Sequence, residues 1–266
     1  MPTVVANGIS ISYERSGSGP PLLFCNGSGS TLATSQLLID PFRNQFDVVA
    51  HDQRGLGRTE IPAGPYTMAQ YAADAIGLVD SVGWEHFRIA GISFGGMVAQ
   101  EIAVTCPERI ERLALLCTSS GGPGGASYPL HQLADLPADE RVARGLELLD
   151  TRFTPEWLAS HPDDQALVEL LAGRMSSRPT ADSERGERGQ MDARSHHDVY
   201  DRLPKITCPT FVASGRYDGI APFANGEAIA AQIPRSELHV YEGGHMFVAQ
   251  DRAAFPEILE FLAASS

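Results

Sequence analysis

The chain has 266 residues, and 43% of them are apolar, enough for one sizeable α/β core carrying an insertion. Its 20 basic and 33 acidic residues leave a formal charge of −13. That balance argues against a nucleic-acid binder, which would present a basic face, and against docking on an anionic membrane.

Two alternating runs, "TVVA" and "SISYE", flank Asn7-Gly8, a pair that favours a two-residue hairpin turn. Continuous apolar runs follow at "PPLLFCN", "FDVVAHD", "FRIAG", "RLALLCT", "PTFVASG" and "ELHVYEG". Runs this short, apolar on both faces and closed by Gly or polar residues, suit buried parallel strands. Segments with helical spacing lie between them: "SQLLIDPFRNQ", "TMAQYAADAIGLVDSV" with Thr67 as its N-cap, "FGGMVAQEIAVTC", "PFANGEAIAAQI" and "FPEILEFLAAS". Such alternation predicts right-handed crossovers and a mostly parallel eight-stranded sheet flanked by helices.

One region breaks the pattern. From Gly121 to Leu203 no strand run occurs; the Gly-rich "SSGGPGG" leads into four helical segments. The expectation is a core formed by 1–120 and 204–266, with a helical cap at 121–203 inserted between the sixth and seventh strands. The charged run "DSERGERG" reads as a solvated face or loop.

Four cysteines, Cys25, Cys106, Cys117 and Cys208, form no C-x-x-C pair and read as small buried hydrophobes in a reducing compartment. The first residues lack a basic stretch and a long apolar core, and no run reaches transmembrane length. The expected location is cytoplasmic. No dinucleotide motif or metal-ligand spacing appears, so neither cofactor nor metal is expected.

In a parallel sheet, reactive groups collect at the carboxyl ends of strands. The fifth strand ends in "GISFGG", which sets Ser93 between glycines at a strand-to-helix turn. Asp218 stands just past the seventh strand in "GRYDGIAP", and His245 just past the eighth in "EGGH". A serine hydroxyl needs a nearby base, an imidazole can take its proton, and a carboxylate can fix that imidazole's tautomer. Each residue alone has a structural reading as a turn or cap. All three at strand ends, in the order Ser, Asp, His, point to a nucleophile, its orienting acid and its general base.

On these motifs the chain resembles the α/β-hydrolase superfamily, in its serine-nucleophile branch, over almost its whole length. "GISFG" resembles the family's nucleophile elbow, and "HDQRGLGRTE" its Asp-x-Arg-Gly-x-Gly-x-Ser segment, with Thr59 where Ser is usual. There Asp52 and Arg54 are expected to order the loop. The resemblance implies the α/β-hydrolase fold and an oxyanion hole made of the backbone N–H groups of Phe94 and Ser28. The loop carrying Ser28 reads Asn26-Gly27-Ser28-Gly29 where the family usually has His-Gly-x.

A serine nucleophile points to a carbonyl substrate and away from the relatives that use Asp at the elbow. Size, the "CTSSGG" strand end and the cap most resemble the 3-oxoadipate enol-lactonase and small carboxylesterase group. The expected activity is therefore hydrolysis of a small ester or lactone through an acyl-enzyme. Two alternatives use the same triad: a C–C bond hydrolase of ring-fission products, for which His196 and His197 are of interest, and a cofactor-free haloperoxidase. A third, of another class, is a ligand receptor on a hydrolase fold. Asn26, Trp157 and Met246 are candidate substrate contacts. Phe153, Tyr128 and His131 read as cap core or surface, and Arg174, Arg178 and Arg194 as helix arginines that could pair with a substrate carboxylate. The partner is expected to be a small molecule, and self-association is left open.

Overall fold

The computed structural model describes residues 1–175 and 181–265. Its eight strands are β1 (Thr3–Ala6), β2 (Ile9–Gly17), β3 (Pro21–Cys25), β4 (Asp47–His51), β5 (Phe87–Ile92), β6 (Ile110–Leu116), β7 (Thr210–Gly215) and β8 (Ser236–Tyr241). They form one sheet in the order β1-β2-β4-β3-β5-β6-β7-β8. The β1–β2 and β2–β4 pairs are antiparallel, and every other pair is parallel. The first hairpin turns on Asn7 and Gly8, both with positive φ, as the dipeptide signal requires.

The helices are α1 (Gln36–Arg43), α2 (Met68–Ser81), α3 (Phe94–Thr105), α4 (Ala138–Leu149), α5 (Pro155–Ser160), α6 (Pro162–Met175), α7 (Ala181–Ser195), α8 (Phe223–Gln232), α9 (Phe247–Gln250) and α10 (Ala254–Ala263). Alternate residues of each inner strand enter opposite layers. Leu23 and Cys25 of β3 join a core with α2 and α3, while Leu22 and Phe24 join a second core with α1 and α10. Both faces are thereby covered, which is why these strands read as unbroken apolar runs. Thr67 caps α2 as expected: its hydroxyl accepts the Gln70 N–H at 3.2 Å, and the Gln70 side chain accepts the Thr67 N–H at 3.0 Å.

Helices α4 to α7 lie between β6 and β7, as the expected cap does. In that interval the described residues form no strand, only an isolated antiparallel bridge between Gly121 and Asp198 and three short 3-10 turns. The charged run proves to be the first half of α7, and its glycines rather than apolar residues make the inward face. Gly186 rests on the backbone of Gly55, and Gly189 on the ring of Tyr66. The four cysteines are buried and unbridged. Burial pushes the thiols of Cys25 and Cys208 up to about 12 and about 11, so neither is a thiolate at neutral pH. Among the described residues no helix is long and apolar enough to cross a membrane.

Candidate active site

Strand β5 passes into α3 through Ser93, whose φ of 54° and ψ of −117° lie outside the ordinary regions for a side chain-bearing residue. Such a conformation persists only where its surroundings hold it. The Ser93 N–H donates to the Leu116 carbonyl at 2.8 Å, and its carbonyl accepts the Thr118 hydroxyl at 2.8 Å. The turn is also sterically closed to larger residues: a Cβ at Gly95 would collide with the Cys25 carbonyl. The result aims the Ser93 side chain away from the sheet at the start of α3, whose first amides have no intrahelical acceptor.

The later strand ends complete the site. Asp218 Oδ1 accepts the N–H groups of Ile220 and Ala221 at 2.7 and 2.8 Å, which leaves Oδ2 for His245 Nδ1 at 2.7 Å. His245 Nε2 lies 2.9 Å from Ser93 Oγ. With Nδ1–H donated to the carboxylate, Nε2 is the acceptor for the serine proton. All three residues are buried. Burial disfavours the imidazolium. The Asp218 charge, the Cys117 sulfur and the hydrogen bonds to both outweigh it, and the His245 pKa is raised well above 6.5.

Cys117 directly follows β6 with a φ of 41°. Its Sγ, an Asp218 oxygen and a His245 nitrogen lie within 4.8 Å of one another, the one group of three metal-capable side chains among the described residues. Two of its three members are already bonded to each other, so the grouping belongs to the relay itself.

The segment with Asp52 orders the neighbouring loop, as its sequence suggested. Asp52 Oδ1 accepts the Leu32 N–H at 2.7 Å, and Oδ2 accepts the Arg58 N–H at 2.9 Å. Arg54 forms a buried ion pair with Asp74 at 2.6 Å. The Gln53 amide donates to the Asn26 carbonyl at 2.6 Å. The loop so held passes close over the nucleophile: a Cβ on Gly27 would stand 3.7 Å from that of Ser93. The Ser28 N–H makes no hydrogen bond among the described residues, and the Ser28 hydroxyl and the Asn26 amide group are buried without protein partners. Phe94 is the first residue of α3, with its ring at 5.0 Å from that of Tyr71.

Met246 follows the base and is half-buried. Trp157 is half-buried in α5, with its indole N–H on Asp164 at 2.8 Å and its ring stacked on His161 at 3.7 Å. Phe153 is buried, Tyr128 half-buried and His131 exposed. His196 is exposed on the end of α7, whereas His197 is buried and its pKa is lowered to about 4 by that burial. The side chains of Arg174 and Arg178 lie outside the described residues.

Three neighbours of the site are not legible in the sequence. Gln190 of α7 accepts the Gly29 N–H at 2.7 Å. Asp150, fully buried, binds Arg152 and the Gln250 amide at 2.7 and 2.9 Å. Gln250 in turn accepts the Gly244 N–H at 2.9 Å, one residue before the base. All are polar side chains whose roles arise from tertiary contact, and no local spacing marks them.

A hydroxyl, an imidazole and a carboxylate linked in this relay are the machinery of a serine hydrolase. The chain belongs to the alpha/beta hydrolase fold family, whose model matches residues 20–251. It is 28% identical over 261 residues to 3-oxoadipate enol-lactonase 2 of Acinetobacter baylyi, covering 97% of this chain and 94% of that one. It is also 29% identical over 282 residues to a 2-hydroxymuconate semialdehyde hydrolase of Pseudomonas putida, covering 98% and 93%. Among solved structures, the enol-lactonase from Burkholderia xenovorans superposes with a TM-score of 0.81 at 23% identity, over 99% of this chain and 100% of that one. That last likeness bears on the fold alone.

Proposed function

We propose that this chain hydrolyses a small carboxylic ester or lactone through an acyl-enzyme on Ser93. The observation that carries the reading is the continuous relay from Ser93 Oγ through His245 to Asp218, set on a strained elbow. His245 takes the serine proton as Oγ attacks the substrate carbonyl. Asp218 holds the imidazole in the required tautomer and stabilises its charge. The N–H groups of Ser28 and Phe94 receive the developing oxyanion, since neither has an acceptor among the described residues. Collapse of the tetrahedral intermediate expels the alcohol or enol oxygen, which His245 protonates. A water activated by the same imidazole then releases the acid and restores Ser93. Asn26 and Met246 border these groups and would touch the substrate, while residues 121–203 act as the cap that sets its size. The molecule's partner is thus a small substrate, and the acidic balance suits a soluble setting.

The likeness to an enol-lactonase supports an oxygen leaving group. The equal likeness to a semialdehyde hydrolase keeps a second reading, cleavage of a carbon–carbon bond on the same triad. A carbon leaving group must be protonated as it departs, and that demands more from the cap. The test is a panel of short p-nitrophenyl esters, small lactones and a vinylogous diketone ring-fission product. The proposal expects the highest kcat/KM on an ester or lactone. A hundredfold preference for the diketone, equivalent to about 2.7 kcal/mol, would establish the second reading instead. Multiple turnovers on any member would also set the receptor reading aside.

A further inference from the structure

The two residues before the base carry no side chains. Gly243 and Gly244 lead from β8 to His245, so hydrogen bonds to their backbone must fix that turn. The Gly243 carbonyl accepts the Tyr217 N–H at 2.9 Å, next to Asp218. The Gly244 N–H donates to Gln250 Oε1 at 2.9 Å. The direction of the Gln250 amide therefore bears on the base. A glutamine amide can present either end, and its neighbours decide which. Here Nε2 meets two carboxylates, Asp150 Oδ2 at 2.9 Å and Asp164 Oδ1 at 3.2 Å. A carboxylate only accepts, so the NH2 end must face the acids and Oε1 must face Gly244.

The two acids come from different parts of the cap. Asp150 follows α4, is fully buried and binds the Arg152 guanidinium at 2.9 and 2.7 Å. Asp164 lies in the first turn of α6. Its other oxygen, Oδ2, accepts the Trp157 indole N–H at 2.8 Å. Trp157 belongs to α5, where the Thr154 hydroxyl accepts its backbone N–H at 3.2 Å. The Arg152 guanidinium carbon lies 4.6 Å from the centre of the Trp157 ring and 4.0 Å from that of Tyr217. Asp150, Arg152, Trp157, Asp164 and Gln250 therefore close a ring, each touching the next. Side chains joined in this way restrain one another, because a member that turns breaks contacts on both sides. The ring reaches the catalytic turn through Gln250 Oε1.

We propose that Asp164 is a positioning residue for His245, acting through Gln250, so that the cap helices α5 and α6 help to set the catalytic base. This rests on the reading of His245 as the general base of acyl transfer at Ser93. Asp164 does not meet the reacting atoms. It holds the Gln250 amide in the one orientation that can accept from Gly244, and Trp157 holds Asp164. A small displacement of Gly244 passes directly to the next residue, whose Nε2 must keep its 2.9 Å contact with Ser93 Oγ. The place of the base thereby depends on how α5 and α6 are seated.

The test is a double-variant cycle read on kcat and KM with a short p-nitrophenyl ester. Asp164→Ala and Gln250→Ala are made singly and together. Trp157→Phe, which keeps a ring on Arg152 but removes the indole N–H, perturbs the same path without removing a charge. Asp164→Ala should lower kcat about 3- to 10-fold and Trp157→Phe about 2- to 5-fold, each with KM changed by less than about twofold. Because Asp164 acts through Gln250, adding Asp164→Ala to Gln250→Ala should lower kcat by no more than about a further twofold. A merely structural contribution would not depend on the amide, and the two losses would multiply. Multiplied losses, an unchanged kcat in Asp164→Ala, or an effect on KM alone overturns the inference. If Asp164→Ala does not fold, Asp164→Asn, which keeps the size but turns one acceptor into a donor, takes its place in the cycle. Ser93→Ala is assayed alongside. Undiminished hydrolysis by that variant would overturn the acyl-transfer reading and this inference with it, whereas multiplied losses overturn the inference and leave that reading standing.

Discussion

The backbone carbonyl of Leu149, the last residue of α4, accepts the N–H of His245 at 2.6 Å. One residue earlier, the Leu148 carbonyl accepts the N–H of Gly219 at 3.0 Å, next to Asp218. The C-terminal end of a cap helix thus spends two carbonyls that its own ladder leaves free on the loops of the base and the acid. Cap and catalytic groups are joined as one hydrogen-bonded unit. The approach is tight enough that a Cβ on Gly244 would collide with the Leu149 carbonyl.

The Asp150–Gln250 contact braces this junction from behind, since Gln250 bridges Asp150 and the Gly244 N–H. Gln250→Ala should loosen the base without touching substrate. We expect kcat to fall about 5- to 30-fold with KM changed little, in keeping with the sensitivity of catalysis to small misplacements. Steady-state kinetics on an activated ester checks this. An unchanged kcat would show that the Leu149 carbonyl holds His245 alone.

The pH profile has a definite sign. The neutral imidazole is the active base, and the surroundings of His245 raise its pKa well above 6.5. The rate should therefore rise with pH through an acid limb placed above 6.5, not below it. Asp218→Asn removes the main cause that raises the pKa, so the limb should move down. The same change should lower kcat about 10²- to 10⁴-fold through loss of the tautomer. A pH series of kcat/KM for both proteins reads both effects. A limb that stays in place in Asp218→Asn would assign the raised pKa to another group.

At the elbow, Gly95→Ala should be strongly destabilising, because its Cβ would collide with the Cys25 carbonyl, a backbone group that cannot rotate away. A loss of about 1–3 kcal/mol or more is expected, the cost of forcing extra volume into a packed core. Denaturant unfolding measures it. A loss below about 1 kcal/mol would mean that β3 and α3 can part without penalty.

Arg54 and Asp74 are both nearly fully buried and joined by two hydrogen bonds of 2.6 and 2.7 Å. Breaking such a pair by removing one partner leaves a buried charge. Arg54→Met should therefore cost about 3–5 kcal/mol, and the double variant with Asp74→Leu should recover much of it. Chemical denaturation of the two single variants and the double variant decides the point.

Much of this molecule is legible in its sequence because the burial pattern is simple there. Strands covered on both faces must be apolar throughout, so "FRIAG" and "PTFVASG" announce themselves. The Asn7-Gly8 turn, the Thr67 cap and the Gly-flanked Ser93 each answer a local backbone requirement that few residue types meet. The cap is different. The inward face of α7 consists of Gly186, Gly189, Gln190, Ala193 and Arg194, so it shows no stripe of large apolar residues, and a charged run is all that periodicity can report. Burial of Arg194 depends on how α7 seats on Gly55 and Tyr66, which no spacing within the helix encodes. Asp150 likewise looks like an ordinary helix-end acid until β8 and α9 bring Gln250 to it.

The central claim is that Ser93 becomes acylated, and rapid quenching tests it most directly. Enzyme mixed with p-nitrophenyl acetate is stopped in acid within the first turnover, digested, and read by mass spectrometry. The account predicts a burst of about one p-nitrophenolate per chain, an acetyl group on the peptide containing Ser93, and neither in Ser93→Ala. Acetylation at any other residue, or undiminished hydrolysis by Ser93→Ala, would contradict it.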